Sequence, residues 1–299
     1  MKLRDFRYER IFALFYRLTR RLSNRQIMML LAMIVGLLAG LGTYVFEMLL
    51  YGIKYGLTNW FPVDSAHVLL LFYPAVGIIL ATLFVKYVVR DNISEGVTRV
   101  LYAMSSRNSR IARHNCWTSV VGGATTIGFG GSVGPEAPIV LTGAAIGSNV
   151  GRLARLNYKN TTLLLCCGAG AALAAIFKAP ITGVVFVLEI LMLDITASSV
   201  IPLLIASITA TTIAFVFRGF DPIIAVTLTA ADAFELRQIP MFILLGVLCG
   251  GMSYYFTTVN SRIGAFYKRL PSQGRKWLYA GITLGVLLFV FPPLYGEGY

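Results

Sequence analysis

The sequence predicts an all-α integral membrane protein, and three observations carry that prediction. Hydrophobic residues make up 57% of the chain and charged residues 13%, with a mean hydropathy of +0.74, a balance that belongs to membrane bundles rather than soluble domains. The basic residues, which set a net charge of +13, cluster beside apolar runs as the positive-inside rule places them. No aromatic-basic face of the kind that binds nucleic acid accompanies them. Lastly, the stretch GGSVGPEAPIVLTGAAIGSNVGR, from Gly130 to Arg152, turns through glycines into an apolar helix. Interrupted helices of this kind mark midplane binding sites in transporters.

Residues 1–25 are basic and amphipathic, with Phe6, Ile11, Phe12, Phe15 and Tyr16 among Arg7, Arg10, Arg17, Arg20 and Arg21. They predict a helix on the cytoplasmic membrane surface, in a multi-pass protein of the plasma or inner membrane whose N-terminus is cytoplasmic. This basic start has no early apolar core, so the first membrane helix is expected to act as its own insertion signal. That helix runs from Gln26 to about Leu57, longer than the roughly 20 residues that span a bilayer, and is therefore tilted. A loop over 59–64 leads to a return helix over 66–89, with His67 at its outer end and Lys86 and Arg90 at its inner end. Gly96 to Met104 predicts a short helix, and Arg107, Arg110 and Arg113 follow it in a cytoplasmic loop.

Trp117–Ile127 and Pro135–Leu153 predict two broken helices that meet at the glycine turn. The Gly143/Gly147 pair and the small residues of 161–176 predict close helix packing. Phe177–Pro180 breaks that helix, and others follow over 181–193, 199–217, 239–254 or on to 266, and 277–290. A polar connection over 218–238 carries Asp221, Asp232 and Glu235.

The chemistry concentrates at 134–138. Proline suits a first helical position, and the N–H groups behind it lack intrahelical acceptors. With the helix dipole they form an anion site, and at membrane depth such a start needs protein or a water-filled cavity around it. Glu136 competes with a dissolved anion for those donors. Ionised and folded back it occludes the site; protonated or displaced it leaves the site open. A carboxylate at this depth costs about 2.5–3.5 kcal/mol on insertion scales, which points to function. A plain helix-capping role is the alternative, but Ser132 lies four residues before Glu136 whereas a capping box spans three.

Other chemistries find less support. The 4 cysteines, Cys116, Cys166, Cys167 and Cys249, form no CxxC pair, so disulfide and metal readings fail on spacing and buried, inert thiols are expected. His67 and His114 are the only histidines, and no HExxH occurs. An intramembrane enzyme therefore lacks its nucleophile–base pair or metal ligands, and no cofactor is called for. A non-conducting scaffold explains the small-residue packing but not Glu136 at a broken helix start.

Two segments together resemble the CLC family of chloride channels and chloride/proton antiporters. GSVGPEAP at 131–138 is similar to the family's G-R/K-E-G-P motif, and GAGAALAAIFKAPITGVVFVLEIL at 168–191 to its next segment, with its A-P, G and F-x-x-E pattern. The resemblance implies a bundle of tilted and broken helices. It makes 26–219 a first inverted repeat and 220–299 the start of a second, to be continued beyond Tyr299. It also implies a homodimer that carries chloride or a similar anion, with or without protons.

Residue by residue, the resemblance implies that Glu136 is the gate and that Gly134, Pro135, Ala137 and Pro138 surround the anion. Pro135 stands where a basic residue is usual and Ala137 where glycine is usual. The family's G-S-G-I-P motif falls on Ser94, Glu95, Gly96, Val97 and Thr98. There Glu95 occupies the anion-binding serine's place, unless a one-residue shift brings in Ser94; a carboxylate there repels an anion unless protonated or turned away. Ile190 stands where antiporters usually carry an internal proton-transfer glutamate, with Glu189 the neighbouring ionisable group. The expectation is thus a channel-like or weakly proton-coupled anion pathway, with the fully coupled antiporter as the alternative. Lys178, beside a helix start, is expected to snorkel or to raise the local anion concentration.

Overall fold

The computed structural model describes residues 23–59, 72–91, 96–106, 108–192, 196–220 and 236–291. Among these the chain is helical without strands: α1 (Asn24–Asn59), α2 (Tyr73–Leu83) continued by a π-helical turn over Phe84–Val89, α3 (Gly96–Ser106), α4 (Asn115–Gly128), α5 (Glu136–Leu153), α6 (Tyr158–Ile176), α7 (Pro180–Ile190), α8 (Ala197–Arg218), α9 (Ile239–Arg269) and α10 (Gln273–Val290). Within the described residues 4 helices are long and apolar enough to cross a membrane: Asn24–Leu57, Tyr158–Ile176, Ala197–Arg218 and Ile239–Arg269. The N-terminal stretch 1–22, the 60–64 loop with His67, the acids Asp221, Asp232 and Glu235, and residues 292–299 lie outside the described part.

Caps explain where the ends differ from expectation. α6 begins at Tyr158 rather than Thr161 because the Asn157 side chain accepts the Asn160 N–H at 3.0 Å, satisfying a donor that the first turn leaves unpaired. α8 begins at Ala197 because Thr196 and Ser199 form a reciprocal capping box. α7 ends at Ile190, short of Leu193, where Met192 turns left-handed at φ 53°.

Small residues decide which helix lies at the centre. α6 is buried almost throughout and packs against α5, α8, α1 and α7. The expected glycine packing is there: a Cβ added at Gly143 would strike the Gly168 carbonyl, and one added at Gly168 would strike that of Gly143. Such contact lets two backbones approach without side chains between them. Gly36 and Gly40 likewise bring α1 onto Ala206 and Ala210 of α8. α10 rests on α2 through Gly281 and Ala75. α9 buries none of its residues among the described ones. For that reason Cys249 is exposed, against the expectation for all four cysteines; Cys166 and Cys167 are buried and Cys116 is half-buried.

Charged residues inside the bundle are paired. Arg218, ending α8, holds Glu47 of α1 at 2.5 Å and reaches the Ile176 carbonyl at 3.4 Å. Lys178, in the break between α6 and α7, donates to the carbonyls of Arg218 at 3.4 Å and Gly219 at 2.9 Å. It therefore caps the C-terminus of α8, where the dipole favours a cation, and neither expectation for it, snorkelling or gathering anions, describes these bonds.

A candidate anion site at two helix starts

The turn between α4 and α5 folds back on α4 before it releases the chain. The N–H groups of Gly130 and Gly131 donate to Ile127 and Thr126 carbonyls at 2.9 Å each, and Val133 donates to Gly131 at 2.9 Å. Pro135 then occupies the N-cap position with φ −73° and ψ −10°, one residue earlier than the expected first helical position, and the helix proper starts at Glu136. The first bond of the helix is Ile139 N–H to the Pro135 carbonyl at 3.3 Å.

Two prolines thin out the donors at this start. Pro135 and Pro138 carry no N–H, so fewer first-turn donors remain at this helix start than at an ordinary one. The N–H groups of Ser132, Gly134 and Ala137 make no hydrogen bond among the described residues. The Glu136 side chain folds back over this turn, so that a Cβ added at Gly134 would collide with its carboxylate. Glu136 is half-buried, Pro135 is buried, and Ser132 and Val133 are exposed.

The second predicted start meets the first. Gly96 begins α3 and is buried, and a Cβ placed on it would fall on the carbonyl oxygen of Ala137. Gly96 and Ala137 thus bring the starts of α3 and α5 into backbone contact. Val97 is half-buried and packs on the core; Ser94 and Glu95 lie outside the described residues. On the other flank Pro138 presses on Gly123 of α4, whose added Cβ would come within 2.7 Å of the proline ring.

The α3 start is tethered at its far side by a group that sequence reasoning missed. The Asp91 carboxylate receives Arg99 at 2.5 Å and His114 at 3.3 Å, tying the end of the π-helical turn to α3 and to the entry of α4. Its only sequence signal is an aspartate just after an apolar run that ends in basic residues.

Glu189 and Ile190 are not part of this cluster. The Gly143–Gly168 and Gly147–Leu164 contacts run α5 and α6 antiparallel, and Gly170–Gly183 does the same for α6 and α7. In that register Glu136 stands level with the C-terminal end of α6, and Glu189 level with its N-terminal half. Glu189 and Ile190 are both exposed, in the last turn of α7. Among the described residues no group of three or more metal-ligating side chains occurs.

Comparison with known proteins agrees with this architecture. The voltage-gated chloride channel family profile matches residues 76–299. A curated relative from Vibrio vulnificus, the H(+)/Cl(−) exchange transporter ClcA, is 31% identical over 287 residues, covering 90% of this chain and 60% of its own length. The chain therefore spans about 60% of the length of the curated relatives that it matches in this way. Among solved structures, a slow cyanobacterial Cl−/H+ antiporter superposes with a TM-score of 0.76 at 26% identity, over 93% of this chain and 66% of that one. A CLC-type fluoride/proton antiporter superposes at 0.75 with 24% identity, over 89% and 66%, a likeness of fold alone.

Proposed function

We propose, from the premise that this chain belongs to the voltage-gated chloride channel (CLC) family, that it contributes to a transmembrane pathway exchanging chloride, or a similar small anion, for protons. The observation that carries this reading is the contact of two helix starts at Gly96 and Ala137. The positive ends of two dipoles and a set of backbone N–H groups face one region there, an arrangement suited to an anion. Gly134, Pro135, Ala137 and Pro138 form one wall, and Gly96 and Val97, with Ser94 or Glu95, form the other. Glu136 is the gate: its folded carboxylate competes for the same donors and yields them when protonated or displaced.

Proton exchange leads over the channel-like reading because the curated relatives are named exchange transporters. Ile190 supports the second reading, since its side chain holds no proton, and it leaves Glu189 as the neighbouring titratable group. The same proposal includes a homodimer embedded in a bacterial inner membrane with the N-terminus cytoplasmic. In it, 26–219 form the first inverted repeat and 220–299 the start of the second.

The test uses the complete protein in liposomes under a chloride gradient, with chloride efflux and proton uptake recorded together. Proton movement against its own gradient in fixed ratio to chloride is the expected result. Chloride flux without proton movement supports the channel-like reading, and absence of any anion flux overturns both.

A further inference from the structure

Buried polar side chains gather at the opposite end of α5 from Glu136, where that helix meets the entry of α4. Asn115 is fully buried and neither its Nδ2 nor its Oδ1 finds a partner among the described residues. Ser119, one turn further along α4 and 4% exposed, is in the same state at its hydroxyl, as is the Oδ1 of Asn149. Asn115 and Ser119 share a helix face at the i, i+4 spacing. Asn149 approaches that end of α4 from α5, its Nδ2 donating to the Cys116 sulfur at 3.7 Å.

Ser119 is unlike many other helical hydroxyls of this chain. Thr125, Thr126 and Thr142 each donate to the carbonyl one turn back, at 2.8, 2.8 and 2.9 Å, as hydroxyls in helices commonly do. The Ser119 hydroxyl makes no such bond. Other polar groups nearby are bonded. Ser148 accepts the Ile111 N–H at 3.0 Å and donates to the Ser109 carbonyl at 2.6 Å, and Asn149 Nδ2 donates to the Ala145 carbonyl at 2.7 Å. A clamp of α5 side chains therefore grips the 108–114 loop, and directly beside it sit an amide, a hydroxyl and a carbonyl oxygen with unmet hydrogen-bonding capacity.

Buried polar groups without a protein partner are costly, and native proteins commonly satisfy them with water making about three hydrogen bonds. We infer that Asn115, Ser119 and Asn149 form a buried site for bound water that completes the clamp between the α4 entry and α5. Donors and acceptors are both present: the amide Nδ2 donates, two amide oxygens accept and the hydroxyl does either, which suits a neutral molecule of water's size better than an ion.

Two measurements on the complete protein test this. In a structure that resolves ordered water, water lies within hydrogen-bonding distance of the Asn115 amide and the Ser119 hydroxyl. A dry site overturns the inference, as does an anomalous signal there after bromide replaces chloride. In thermal unfolding, Asn115→Leu and Ser119→Ala give opposite signs for the two cases. With water bound, both lower Tm by up to several degrees, because remaining partners lose their bonds. In a dry site both raise Tm or leave it unchanged, because an unmet polar group has been removed; that result overturns the inference. Should Asn115→Leu fail to fold, Ser119→Ala, which is almost volume-neutral, decides by the same sign.

Discussion

Gly96 lies against the backbone of Ala137, so closely that a single methyl on Gly96 would come within 2.4 Å of the Ala137 carbonyl oxygen. The contact joins the starts of α3 and α5, and neither side can give way easily because both neighbours are backbone. Gly96→Ala should separate the two starts at an overpacking penalty of about 1–3 kcal/mol. Anion flux in liposomes should fall at least as steeply as Tm, while Gly56→Ala, at a helical glycine with open space around it, should leave flux unchanged and should not lower Tm. Wild-type flux in Gly96→Ala would show that the meeting of these starts is irrelevant to transport.

Glu136 folds over Gly134, so that an added Gly134 Cβ would collide with its carboxylate. Glu136→Gln mimics the protonated acid, so anion flux through the complete protein should lose its dependence on external pH and stay high across the range. A variant whose flux still follows pH as the wild type does would remove Glu136 from the gate.

Glu189 sits at the exposed last turn of α7. If it relays protons, Glu189→Gln lowers proton uptake while chloride efflux continues, and Ile190→Glu, which restores an acid beside it, raises the number of protons moved per chloride. Proportional changes in both fluxes would point instead to a structural role for this turn.

Arg218 and Glu47 pair across α8 and α1 with little solvent access, their side chains being 27% and 17% exposed. Removing one partner leaves a charge in an apolar bundle, a loss of about 3 kcal/mol for buried pairs. Arg218→Ala should therefore lower Tm in detergent clearly more than the double variant Arg218→Ala with Glu47→Leu. Equal losses in the single and double variants would show that the orphaned Glu47 carboxylate carries no penalty of its own.

Much of the fold was legible because it rests on local chemistry. Apolar runs, the glycine turn at 130–134, Pro135 and the Phe177–Pro180 break each act on the backbone within a turn or two, and the helices fall where those signals place them. Ends shifted by a few residues where a cap decided, as at Asn157 and Thr196, since a cap depends on one rotamer rather than on a periodic pattern. The Gly143 contact was also readable, because small residues at helical spacing leave few alternatives to close packing.

The sequence by itself thus determined an all-helical membrane chain with a helix start at Glu136 that follows a glycine turn. Tertiary structure alone decided what stands beside that start. Nothing near Lys178 announces that it caps α8, and nothing near Glu47 names Arg218 as its partner. Each pairing joins segments distant in the chain, and its geometry follows from how α6 draws α1, α5, α7 and α8 around its small-residue surface. Hydropathy and helix-end signals are local, so they specify which elements form. Which ends converge, and hence where dipoles and charges add together, is a property of the packed bundle.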